Sequence, residues 1–162
     1  MQGKWSAQEV LKIASKVELH GESLYASLES KTEDEKLKSM WNFLKEQESI
    51  HRQIFEDMLA DDGGLTVHEF GTGEYDDYME AIAAEYIITP QIIEEKLNTE
   101  FASDLAAVDF ALSIEKEAVL VYSALKGYVN KDKQYLLDKI INEEKKHIVE
   151  LSKIKQILRQ ER

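Results

Sequence analysis

Apolar residues recur along this chain in two patterned blocks with an unpatterned stretch between them. In the first block Leu11, Ala14, Glu18, Gly21, Tyr25 and Leu28 alternate steps of three and four, the seam of a helix packed in a bundle. Ser6-Ala-Gln-Glu9 reads as a capping box that opens this helix, which is expected to run to about Glu29. A second seam, Leu37, Trp41, Leu44, Glu48, His51, Phe55 and Met58, follows Thr32-Glu-Asp-Glu35, which also reads as a capping box. So short a connection makes the two helices antiparallel neighbours. The last block repeats the arrangement. Val108, Ala111, Glu115, Ala118, Tyr122 and Leu125 form the seam of a helix from about Ser103 to Val129, and Leu137, Ile140, Glu144, His147, Leu151, Ile154 and Leu158 that of one from about Lys131 to Gln160. Between them, positions 61–102 lose the period and contain Asp61-Asp-Gly-Gly64 and Gly71-Thr-Gly73. A stretch of this length inside one domain should hold short helices of its own. One is expected over 75–86 and another after Thr89-Pro90, with Thr as N-cap and Pro at the first helical position. The pattern predicts an all-α fold and one domain: a helical hairpin over 6–60, a crossover over 61–102 and a second hairpin over 103–160.

Each of the four seams carries ionisable groups midway along it. Glu48-Ser-Ile-His51 and Glu144-Lys-Lys-His147 place a carboxylate and an imidazole three residues apart, on one helical face. A single Glu-x-x-His is weak evidence in a chain with 22 glutamates among 162 residues. Its company is the stronger signal. Glu18 sits in Ala14-x-x-x-Glu18-x-x-Gly21-x-x-x-Tyr25, and Glu115 in Ala111-x-x-x-Glu115-x-x-Ala118-x-x-x-Tyr122. The first pair of helices is thus repeated by the second, 97 residues on at Glu115 and 96 on at Glu144, with the one-residue difference falling in the turn near 30–34. At about 1.5 Å per residue the helices are roughly 40 Å long, so all these groups meet at one level.

Four carboxylates in an apolar core cannot all stay ionised without compensation, since each uncompensated charge costs several kcal/mol or more. No Lys or Arg lies on any of the four seams. Two divalent cations would balance Glu18, Glu48, Glu115 and Glu144, with His51 and His147 as neutral ligands. Oxygen-rich ligation with one imidazole per metal suits iron or manganese better than copper or a structural zinc site. Small residues beside the carboxylates, Ala14 and Gly21 around Glu18, leave volume next to the site. The ligand set, one Glu from each of two helices and Glu-x-x-His from each of the other two, is that of ferritin-like di-iron carboxylate bundles.

Composition narrows the alternatives. One proline and seven glycines among abundant Ala, Leu, Ile, Glu and Lys favour helix. No cysteine is present, which excludes disulfides and thiolate metal sites within this sequence and fits a reducing compartment. A net charge of −12 argues against nucleic acid as a partner. No run is long and apolar enough for a signal peptide or a membrane span, so a soluble cytoplasmic protein is expected.

The doubled pattern, Ala-x-x-x-Glu-x-x-x-x-x-x-Tyr followed by Glu-x-x-His, resembles the erythrin domain of the rubrerythrin family over nearly the whole chain. By that resemblance Glu18 and Glu115 are terminal ligands, Glu48 and Glu144 bridge two irons, and His51 and His147 each cap one. Tyr25 and Tyr122 match the family's tyrosines that hydrogen-bond ligand carboxylates from behind. The resemblance implies a non-haem di-iron oxidoreductase of oxidative-stress defence, and the long crossover, unlike the simple strap of a cage subunit, favours a homodimer over a closed shell. Such an enzyme would reduce hydrogen peroxide or dioxygen with ferrous iron, acting as peroxidase or ferroxidase. Two departures qualify it. The cysteine-bearing rubredoxin domain is not in this sequence, so electrons are expected from an external donor. The additional glutamate that the family carries one turn after the third-helix ligand is Ala118 here. The remaining set is equally similar to the ferroxidase centre of bacterioferritin, an iron-storage subunit, although Ser49 replaces that family's haem-binding Met and no haem is expected. A manganese or mixed iron and manganese centre would use similar ligands, and a metal-free helical scaffold is the remaining alternative. Trp41 reads as core alone, His20, Glu22 and Glu117 as solvated surface, and His68 as a crossover residue.

Overall fold

A computed structural model describes residues 6–61, 77, 78, 81, 91, 94, 95 and 103–161. Four long helices make up the described body: α1 (Ala7–Lys31), α2 (Glu35–Ala60), α3 (Asp104–Leu125) and α4 (Gln134–Gln160). α1 pairs with α2 and α3 with α4, and the two hairpins close through α1 against α3 and α2 against α4. This is the all-α, ferritin-like arrangement that the seams require, and none of the described helices is long and apolar enough to cross a membrane. Of the two short helices expected in the crossover, Asp77, Tyr78 and Ala81, and then Gln91, Glu94 and Glu95, are helical. The remainder of those helices, and His68, lie outside the described residues.

Helix starts follow side-chain chemistry. Ser6 caps α1 in a reciprocal box: its hydroxyl accepts from the Glu9 amide at 3.2 Å and the Glu9 carboxylate accepts from the Ser6 amide at 2.8 Å. Ser103 accepts from the Ala106 amide at the start of α3. The box expected at Thr32-Glu-Asp-Glu35 does not form. Asp34 is the N-cap, accepting from the Leu37 amide at 2.8 Å, and Thr32 instead ends α1. The Thr32 hydroxyl donates to the Leu28 carbonyl at 2.7 Å and accepts from the Trp41 indole at 3.0 Å, so a residue read as a helix start stitches the end of one helix to the side of the next. α3 stops at Leu125, before Val129, because the chain tightens into a 3-10 turn over Lys126–Tyr128. Lys131 belongs to the turn before α4, which begins at Gln134, and the Gln134 side chain ties the turn by donating to the carbonyls of Lys126 and Val129.

All thirteen seam positions of α1 and α2 are buried, as are Val108, Ala111, Glu115, Ala118, Tyr122 and Leu125 on α3 and Leu137, Ile140, Glu144, His147 and Leu151 on α4; Ile154 and Leu158 are half-buried and pack against the edge of the core. The apolar core is not continuous. One cluster gathers Leu11, Ala14, Phe55, Tyr122, Leu137 and Ile140, and a second gathers Leu24, Tyr25, Trp41, Leu44, Val108 and Leu151. Between them lies a layer of buried charge: Glu18, Glu48, His51, Glu115, Glu144 and His147, each 5 % exposed or less. Two greasy halves that exclude water, with a polar layer between them, set up the chemistry.

Candidate metal centre

Each hairpin supplies half of that layer. Glu18 on α1 and Glu115 on α3 come from the middles of their seams, while the pairs Glu48 and His51 on α2 and Glu144 and His147 on α4 project one turn apart on a single face. Their ligand atoms converge into two overlapping groups. Glu18, Glu48, His51 and Glu144 offer donor atoms within 4.8 Å of one another, as do Glu48, Glu115, Glu144 and His147. Glu48 and Glu144 belong to both groups, as bridging carboxylates would. Both imidazoles turn Nδ1 inward. His51 Nδ1 lies 2.7 Å from Glu144 Oε1 and 3.6 Å from Glu18 Oε2, and His147 Nδ1 lies 3.0 Å from Glu144 Oε2 and 3.4 Å from Glu115 Oε2. The two rings sit 6.0 Å apart at an interplanar angle of 22°.

The tyrosines make a reciprocal clamp between hairpins. Tyr25 on α1 donates its hydroxyl to Glu115 on α3, and Tyr122 on α3 donates to Glu18 on α1. Burial, followed by the charge of Glu115, pushes the Tyr25 phenol well above its ordinary value, so it remains a donor. Each clamp occupies Oε1 of its carboxylate and leaves Oε2 facing the centre. Gly21 opens the space for a third carboxylate: a Cβ placed there would stand 2.9 Å from Glu48 Oε2 and 3.1 Å from its Cδ. Here the missing side chain is filled by a ligand candidate rather than by solvent.

Whether the centre suits a pair of cations is decided by its unsatisfied atoms. Buried polar atoms are almost always paired, yet Glu18 Oε2, Glu115 Oε2, Glu144 Oε1 and His51 Nδ1 are buried with no hydrogen-bond partner among the described residues. His51 Nδ1 and Glu144 Oε1 are within ion-pair distance but not aligned as donor and acceptor. Lone pairs aimed past one another at common points are what cation ligands present, so the residues fit two metal ions. The electrostatics agree. Burial drives the Glu18 and Glu48 carboxyls well above the usual range, and burial with the nearby Glu144 charge takes Glu115 up to about 8. Burial works against the imidazolium of His51 and His147, but the surrounding carboxylates outweigh it and raise them to about 9 and about 10. Burial likewise opposes the Glu144 carboxylate, and the close approach of the Glu115 carboxyl and of the His147 and His51 imidazoles overcomes that and holds it below the ordinary range. Without metal, protons do the neutralising.

All six predicted ligand positions are brought together, and both tyrosines reach the carboxylates behind them. His20, Glu22 and Glu117 stand outside both groups; Glu22 pairs with Arg52 at 3.2 Å, and His20 and Glu117 are half-buried rather than solvated. Trp41, read as core alone, also stacks on Tyr25 with centroids 5.8 Å apart and planes 11° from parallel, so it backs the tyrosine that holds Glu115. Sequence reasoning missed Glu143, whose Oε2 lies 2.8 Å from His51 Nε2. The available signal was chemical: a ligating imidazole needs an acceptor for its outer nitrogen.

A four-helix bundle with two Glu-x-x-His helices and two single-Glu helices around one buried layer defines a ferritin-like carboxylate protein with a site for two metals. A family model described as Rubrerythrin matches residues 9–155, and the chain belongs to that family. Among solved structures it is similar to a protein of Thermotoga maritima, described provisionally as ferritin-like and diiron-carboxylate. That likeness has 27 % identity and a TM-score of 0.73, over 96 % of this chain and 98 % of the other. No curated protein sequence matches at a significant level.

Proposed function

We propose that the protein is a non-haem di-iron oxidoreductase that reduces hydrogen peroxide or dioxygen at the expense of ferrous iron, with an external donor restoring the electrons. The observation that supports it most is the pair of overlapping ligand groups sharing Glu48 and Glu144 in a layer sealed by apolar clusters on both sides. Two ferrous ions bound there would supply one electron each, so that one peroxide and two protons give two waters. The chain's own residues do the rest. Glu18 and Glu115 would bind through Oε2, and Tyr122 and Tyr25 fix their orientation. His51 and His147 present Nδ1, and Glu48 and Glu144 lie between. Four carboxylates favour the ferric over the ferrous state because anionic oxygens attract a triply charged ion more strongly than a doubly charged one. Ala118 is buried in an apolar cluster and adds no further carboxylate, which keeps the ligand count at six residues.

Stopped-flow mixing of the anaerobic ferrous protein with hydrogen peroxide tests the proposal. Oxidation should outpace that of free ferrous iron by about 100-fold or more, and Glu144→Ala should remove the difference. Oxidation no faster than free iron would overturn the redox reading.

A further inference from the structure

We infer that the two metal positions are unequal and that Glu143 makes them so, by anchoring His51 from behind with a charge that His147 lacks; this rests on the two-metal reading above.

The repeat that places the ligands also exposes the difference. Glu143 immediately precedes Glu144 on α4, and 96 residues earlier, immediately before Glu48 on α2, stands Gln47. In a symmetric molecule each of these residues would reach across to the histidine of the opposite hairpin. Glu143 does so: its Oε2 is 2.8 Å from His51 Nε2, while His51 Nδ1 faces the centre. With a cation at Nδ1, that bond would set the imidazole in one tautomer, with the proton on Nε2 and the lone pair on Nδ1, and it holds the ring in one orientation. A carboxylate acceptor also makes the imidazole a better electron donor to a cation. The ring of His51 is fully buried and the Glu143 side chain 26 % exposed, so the anchor lies at the margin of the core.

His147 differs. Its Nδ1 also faces the centre, but among the described residues no carboxylate bonds its outer nitrogen. Its ring meets the Phe43 ring edge-on at 5.9 Å, and Phe43 is itself 45 % exposed. The residue in the corresponding place, Gln47, is half-buried and carries no charge. The position defined by Glu18 and His51 is therefore the tight, pre-set one. The position defined by Glu115 and His147 is the one that fills second and exchanges more readily.

Cobalt(II), titrated into the metal-free protein without oxygen and followed by visible absorption and circular dichroism, reads both positions without turnover. The wild type should take two equivalents in separate steps, the first about 10–100-fold tighter than the second. Glu143→Gln, which keeps the shape and an acceptor oxygen but removes the charge, should weaken the first step by a similar factor and leave the second in place. Gln47→Glu should tighten the second step. A merely structural role for Glu143 would lower both steps together and would overturn the inference, as would two equal steps in the wild type. If Glu143→Gln does not fold, Gln47→Glu decides alone: a tightened second step supports the inference and an unchanged one overturns it. Failure to bind cobalt at all would remove this inference and the two-metal reading together. Two unequal steps in a protein that does not speed ferrous oxidation would leave the inference standing and remove only the redox reading.

Discussion

In the first hairpin Trp41 lies flat against Tyr25, and Phe55 on the same helix reaches across to Tyr122 with ring centroids 5.1 Å apart. The second hairpin has leucines at both corresponding places, Leu137 and Leu151, which fall in the same two clusters. Each clamp tyrosine is therefore packed in a cluster with one large aromatic from α2 and one leucine from α4. The bundle keeps its pseudo-symmetry in volume while giving it up in residue identity. The metal layer does the opposite. Glu18 and Glu115, Glu48 and Glu144, His51 and His147, and Tyr25 and Tyr122 match pair by pair. A core accepts any well-shaped apolar filling of the right total size, whereas compensation of four buried charges depends on residue type and placement. Symmetry survives among the ligand candidates and their tyrosine clamps, where chemistry sets the residue, and lapses in the apolar filling around them.

Breaking the compensation between α2 and α4 should have the largest effect on stability. Trp41→Ala removes a fully buried indole together with its stack on Tyr25 and its bond to Thr32, and should cost about 3–5 kcal/mol in chemical denaturation. A loss below about 1 kcal/mol would show that the volume is not shared as described.

The metal layer can be sharpened by pH. In the metal-free protein the raised carboxyls of Glu18, Glu48 and Glu115 keep protons that the unfolded chain releases above about 4.5, so folding becomes less favourable as pH rises toward 8. His51 and His147 have the same sign. Their contribution is complete below 6.5 and is lost as pH passes through about 9 and about 10. Glu144, held low, has its full contribution above 4.5 and adds no slope in this window. Bound cations would replace those protons, so the gap in melting temperature between manganese-loaded and chelator-treated protein should widen from pH 6 to pH 9 by several degrees, on the order of 2–4 °C per kcal/mol. A gap that narrows over that range contradicts the assignment of the six ligands.

The smallest effect concerns the start of α2. Asp34→Ala should cost about 1 kcal/mol, read as a shift in denaturation midpoint, because the Leu37 amide loses its acceptor. Glu35→Ala should be close to neutral, since the box in which Glu35 would have closed on Thr32 is absent.

The fold was legible wherever one period dominated. The seam residues from Leu11 to Met58 are all buried because a step of three and four leaves a helix a single face to hide. The starts of α2 and α4 were harder. Thr32 and Asp34 are both good caps, and which one served depended on Trp41 being near enough to bond Thr32. The clamp partners were not legible either: Tyr25 bonds Glu115, 90 residues away, rather than a carboxylate of its own hairpin.

The sequence by itself determined that four helices would bury a repeated set of four glutamates and two histidines, because spacing along one helix fixes which side chains share a face. Only the tertiary structure decided that Gly21 yields its space to Glu48, that each tyrosine crosses to the other hairpin, and that Glu143 stands behind His51 while Gln47 holds the matching place. Those are distances between residues far apart in the chain, set by how closely the helices approach and rotate against each other, and helical periodicity carries no term for either.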